Sequence, residues 1–221
     1  MVPIAARSAA RSAALMVVLA GALACAAATP ARAPAQQPVA GEAPLAGFAS
    51  QKLAVMPVQF LRVDSTAPVK PADWAKLRLE LDDSIGAALA ARGVGKKWAY
   101  AADIARLAKR NSDYVSDPYT LGAIGFRDPK KKVGDPAPMA VLNNMRSLIA
   151  LGDSRFALIP VDFGFTTIGK ELRPKISFVL VDGRAGQMLW FADVVGAALT
   201  KFTSAELGVF AERIADLVGA R

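Results

Sequence analysis

The chain has 221 residues, no histidine, one cysteine (Cys25) and a net charge of +8 from 27 Lys+Arg against 19 Asp+Glu. Without histidine, Ser-His-Asp and Cys-His catalysis and His-ligated zinc are excluded, and one cysteine cannot build a cysteine-ligated zinc site. The body after Cys25 has no cysteine with which to form a disulfide, so it must hold together by its core, which its length allows.

The N-terminus reads as an export signal. Arg7 and Arg11 form a basic region, residues 12–31 are uncharged and most apolar at 15–19 (LMVVL), and small residues then lead into a Pro- and Ala-rich run. That order is what a secretory signal requires. Three outcomes stay open. Cleavage could follow Ala35, which closes an Ala33-Pro34-Ala35 motif before Gln36. Ala22-Leu23-Ala24-Cys25 could act as a lipobox and leave Cys25 lipidated, giving membrane attachment. An uncleaved span of about twenty residues could just cross a bilayer. We therefore divide the chain into a signal peptide (1–35), a flexible linker (36–50) and a single domain (51–221), located in the periplasm or at the outer membrane. Setting aside Arg7, Arg11 and Arg32 lowers the charge from +8 to +5. The remaining basic residues are scattered and not interleaved with stacking aromatics. They point to a surface facing anionic envelope material and away from nucleic acid.

In chain order, 52–63 (KLAVMPVQFLRV) is a short apolar run that predicts a buried strand, with Pro57 marking an edge or bulge. Trp74, Leu77, Leu81, Ile85, Ala88 and Leu89 recur at helical spacing and predict an amphipathic helix opened by Pro71 and Asp73 and stopped by Gly93. An extended piece around Trp98 to Tyr100 and a helix over 102–109 follow. Residues 111–138 are the least regular part of the body, and a loop this long is usually functional or disordered. A helix over 139–151 and an extended segment over 156–167 come next. The strands 175–182 and 187–196, joined by Asp182-Gly183-Arg184-Ala185-Gly186, form the clearest local signal, a β-hairpin. Thr203-Ser204-Ala205-Glu206 fits a capping box for a last helix with Leu207, Phe210, Ile214, Leu217 and Val218 on one face. The order β-α-(β)-α-α-β-β-β-α predicts an α/β fold with a mixed sheet covered by helices.

Candidate sites are few. Residues 164–171 (GFTTIGKE) approach the phosphate-loop pattern, but Glu171 replaces the magnesium-binding hydroxyl and Pro174 leads into a strand where a helix is needed. A turn between strands is expected there. Arg127 and the run Lys130-Lys131-Lys132 form either a docking patch for an anionic partner or lipid headgroups, or a solvated loop. Tyr114 and Tyr119 are either recognition aromatics or neighbours of aspartates that shape turns. Asp82 and Asp83 are adjacent on a helix and point in different directions; Asp182 belongs to a turn and Asp193 is expected to face solvent. No pair of acids, with Asp162 included, is expected to converge, so neither catalytic residues, metal nor cofactor is assigned.

Residues 178–190 (FVLVDGRAGQMLW) resemble the "LVDxxTGxxLW" hairpin of small bacterial envelope proteins, namely the curli-secretion lipoprotein type and the N-terminal domain of TolB. Residues 154–160 (SRFALIP) match the position of their "A-x-Y-V-L-x-G" strand, and 52–57 (KLAVMP) that of "R-x-A-V-L-P-F". Ala185 stands where Thr is usual and Pro160 where Gly is. The resemblance implies a secreted α/β domain, often lipid-attached, acting in assembly and protein–protein contact without catalysis or cofactor. The expected function is thus a non-catalytic envelope interaction module with protein partners, its contact surface in the 111–138 loop. The alternatives are a carboxylate-dependent hydrolase of envelope polymers and a small-ligand or lipid carrier.

Overall fold

A computed structural model describes residues 43–62 and 68–219. Cys25, Ala35 and Gln36, and with them the signal, lipidation and cleavage expectations, lie outside the described residues.

Strands β1 (Leu53–Val55) and β2 (Phe60–Leu61) come from the first apolar run. The run was expected as one strand. It breaks at Met56 to Gln59 because Pro57 has no N–H to give, while Met56 and Gln59 still donate to the Leu158 and Pro160 carbonyls. Helix α1 (Trp74–Leu89) ends in a widened turn where Gly93 takes φ 85°. β3 (Trp98–Ala99), α2 (Ala101–Arg110) and α3 (Met139–Leu151) follow, then β4 (Phe156–Ile168), β5 (Glu171–Asp182), β6 (Gln187–Val195) and α4 (Ser204–Ala215). The sheet runs β3-β1-β4-β5-β6 with β2 also on β4. β3, β1, β2 and β4 are parallel, and β4, β5 and β6 are antiparallel. This is the expected mixed sheet under helical cover.

The turn at Gly169 and Lys170 joins β4 to β5, so the phosphate-loop look-alike is a hairpin connection, with Gly164 itself inside β4. β5 begins four residues before the expected start at 175. It includes Pro174, whose missing N–H is tolerated near the end of β6, where Gly196 donates to the Pro174 carbonyl. The last helix starts as its capping box predicts, with the Thr203 N–H donating to Glu206 at 3.1 Å.

The sheet separates two cores. Leu81, Ile85 and Leu89 of α1 and Phe210 and Ile214 of α4 pack with Phe163, Ile176 and Phe178 on one face. Ile104 of α2 and Val141, Met145 and Leu148 of α3 pack with Ile159, Val179 and Val181 on the other. The segment read as a flexible linker and the long 111–138 loop both pack into the body. Leu45, in the predicted linker, is fully buried and donates to the Leu217 carbonyl, while Phe48 stacks edge-on against Phe156 at 5.2 Å. The 111–138 loop is ordered: Leu121, Ala123, Phe126 and Ala137 enter the second core, and Ala123–Arg127 forms a short 3-10 helix.

Candidate functional site

Four strands each contribute one residue to a row across the sheet. Phe60 of β2 pairs with Asp162 of β4, Asp162 with Ser177 of β5, and Ser177 with Asp193 of β6. Simple alternation along β4 would turn Asp162 to the α1/α4 side. Pro160 prevents this, because its register slips before Asp162 and one extra residue enters the strand. Phe156 and Leu158 face the α1/α4 core before the slip, Phe163 and Phe165 after it. Even positions have given way to odd, and Asp162 lands on the α3 side.

Asp162 is buried, at 5% exposure, and carries two guanidinium groups. Arg127 donates from Nε at 2.7 Å and from its second nitrogen to the other oxygen, and Arg62 donates at 3.0 Å. The Arg127 guanidinium also sits 4.3 Å over the Phe60 ring. Bidentate, charge-assisted partners of this kind offset the cost of burying the Asp162 carboxylate. At the other end of the row, Asp193 accepts from the Ser177 hydroxyl and pairs with Lys175. Its side chain is only 12% exposed, against the expectation that it faces solvent, because the hydrogen-bonded neighbour on β5 draws it onto the sheet.

Arg62, Arg127, Asp162, Ser177 and Asp193 line a groove of about 240 Å³ between the sheet and the loop. Val161, Val179 and Met188 give it an apolar floor, Arg127, Lys131 and Lys132 one wall, and Phe191 and Asp193 of β6 the other. Asp128 and Asp135 accept the backbone N–H groups of Lys130 and Lys132, so the lysine run is a shaped turn. Four cations (Arg62, Arg127, Lys131, Lys132) meet three carboxylates (Asp128, Asp162, Asp193) in the lining, which leaves the groove weakly positive, and Lys175 pairs with Asp193 beside it. Apolar floor and converging charge are the ingredients of a recognition site.

The candidate residues divide. Arg127, Lys131 and Lys132 converge on the groove; Lys130 is exposed beside them, and Tyr114 stands 83% exposed elsewhere on the loop. Tyr119 lies half-buried against α1, with Arg78 5.8 Å from its ring centre and its hydroxyl facing Asp82. Burial, then the Asp82 charge, pushes that hydroxyl up to about 12. Sequence reasoning missed Arg62, Asp162, Ser177 and Asp193. Asp162 and Asp193 do share a groove, roughly 10 Å apart by two strand spacings, because the bulge and the strand pairing align them. Each is engaged by cations of the protein itself.

Asp182 works differently. Burial raises its carboxyl, but Arg155 and the N–H groups of Ala185 and Arg184 outweigh that and hold it below the usual carboxylate range. It shapes the β5–β6 turn. A second groove of about 570 Å³ lies by that turn, where Lys52, Arg146, Arg155 and Arg184 gather. Lys52 and Arg155 there are paired with Asp153 and Asp182, and Arg146 donates to the Gly183 carbonyl. Among the described residues no group of three or more acids and cysteines could hold a metal ion, and no helix is long and apolar enough to cross a membrane.

No family model matches the sequence, and no curated protein matches it. Among solved structures, the chain is similar to the PelC dodecamer from Paraburkholderia phytofirmans in space group P6, at 13% identity and a TM-score of 0.39, over 78% of this chain and 91% of that one. A substituted PelC dodecamer from the same organism in space group C2 is similar at 12% identity and a TM-score of 0.37, over 76% and 90%.

Proposed function

We propose that the protein is an exported, non-catalytic envelope module that docks an anionic protein partner in the groove between the 123–136 segment and the β4–β6 face. One observation carries the reading: cations from two distant stretches of chain (Arg62, and Arg127 with Lys131 and Lys132) gather around an apolar floor. Export is supported by the basic, apolar and small segments of the first 35 residues, and an assembly role by the resemblance of the 178–190 hairpin to the TolB and curli-secretion domains. The hydrolase alternative draws on Asp162 and Asp193. Both are already tied to arginine or lysine of the protein itself, so their oxygens are engaged within the fold.

The test is crosslinking in a diderm host that expresses the protein with its own N-terminus. Lys131→Glu with Lys132→Glu reverses two charges at the groove without touching the buried Asp162 cluster. Loss of the crosslinked species seen with the wild type is expected. An identical crosslinking pattern would remove the groove from the proposal, and intact mass in the same preparation distinguishes a chain starting at Gln36 from one lipidated at Cys25.

A further inference from the structure

The groove ends at a sheet edge. Among the described residues, the outer side of β6 is covered only at its start: Gly134 donates to the Met188 carbonyl at 2.8 Å, Met188 donates to the Asp135 carbonyl at 2.9 Å, and Pro136 bridges Gln187. Residues 134–136 thus make a short bridge to β6, which stops where the β5–β6 register slips and leaves Leu189 unopposed. Beyond the slip the pairing with β5 resumes, and Gly196 donates inward to Pro174. Antiparallel strands bond to one neighbour through alternate residues. Phe191, Asp193 and Val195 therefore turn their N–H and C=O groups away from β5, and among the described residues none of the three has a backbone partner there. Their side chains stand on the groove face, with Phe191 exposed and Asp193 in the polar row. An unpaired edge of this kind is a template for another strand.

We propose that residues 191–195 of β6 receive an extended acidic segment of a protein partner as an added strand, extending the pairing that residues 134–136 begin. Main-chain hydrogen bonds to the edge would hold the segment, and alternate side chains would reach Lys131, Lys132 and the arginines of the groove. Charge selects this occupant. The chain's own first 42 residues carry three arginines and a single acid, Glu42, so they do not complement the groove. A second copy joined edge to edge would set four groove cations against four of its own. The proposal rests on the groove reading and adds its backbone component.

Binding of a fluorescent peptide alternating Glu and Val to the purified protein, followed by anisotropy, separates the two. The same peptide fully N-methylated keeps every charge and loses every backbone donor, and Val195→Pro removes one outward N–H at a position where an edge strand tolerates proline. Either change is expected to weaken binding by about tenfold or more. Lys131→Glu with Lys132→Glu is expected to weaken parent and methylated peptides alike. Equal affinity for the parent and N-methylated peptides overturns strand addition and leaves the groove reading standing. Parent binding untouched by the lysine reversals overturns the groove reading itself. No measurable binding of the parent peptide also overturns strand addition.

Discussion

Asp82→Asn reports on how the loop is anchored. Asp82 lies on the inner face of α1 at 6% exposure; Oδ1 accepts the Val58 N–H at 2.9 Å, and the Tyr119 hydroxyl faces the same carboxyl. Burial pushes its carboxyl from 3.8 up to about 7, against the Val58 N–H and Arg78, which pull it down. The folded state therefore holds this proton more tightly than the unfolded chain does. The stabilisation is complete below about pH 4 and is lost as pH rises through about 7. A shift of about three units at about 1.4 kcal/mol each makes the loss about 4 kcal/mol. Asparagine keeps an oxygen for Val58 and does not ionise. If the two are equally stable with Asp82 protonated, the variant is expected to exceed the wild type by about 1 kcal/mol near pH 4.5 and by about 4 kcal/mol near pH 8.5. Urea unfolding followed by tryptophan fluorescence across that range gives both curves, and their difference isolates Asp82. A constant difference between pH 4.5 and 8.5, or a variant less stable at the alkaline end, would refute the reasoning.

Three further outcomes follow from the same structure. Gln59→Leu strips the Pro57 and Pro118 carbonyls of a donor at 2.8 and 2.9 Å and the Leu121 N–H of an acceptor at 2.9 Å. Each orphaned group costs about 1–3 kcal/mol, so a loss of several kcal/mol and faster amide exchange at Leu121 are expected, and protection at Leu121 equal to the wild type would contradict the anchoring role. Gly183→Ala puts a methyl 2.0 Å from Ile149 Cδ1 and 3.2 Å from the Arg155 carbonyl, an overpacking worth about 1–3 kcal/mol in thermal unfolding. Adding Ile149→Val removes the closest of those atoms and should recover part of the loss; no recovery would place the strain in the backbone.

The fold was legible where the pattern is local. Helical spacing marked α1 and α4, and the Asp182 to Gly186 turn marked the β5–β6 hairpin, because neighbours in sequence decide both. The site was not legible, for an equally physical reason. Arg62 and Asp162 meet across 100 residues and Arg127 and Asp162 across 35, so no local period records either pair. The facing of Asp162 depends on one extra residue at Pro160, and proline in an apolar run signals an irregularity without saying which way the following residues turn. Asp82 did leave a trace. It stands three residues before Ile85, at the margin of the apolar stripe, and that spacing could have marked it as an inward carboxylate.

The dispersed origin of the groove has a temporal consequence. Arg62 reaches Asp162 only once β2 has paired with β4, and the Ser177–Asp193 contact waits for β5 and β6. Lysines 131 and 132 exist as charges from the moment the chain is made, but the floor and far wall that would give them selectivity do not. Under the proposed function, a chain exported unfolded would carry no receptor with it, and recognition would begin only once the sheet has formed.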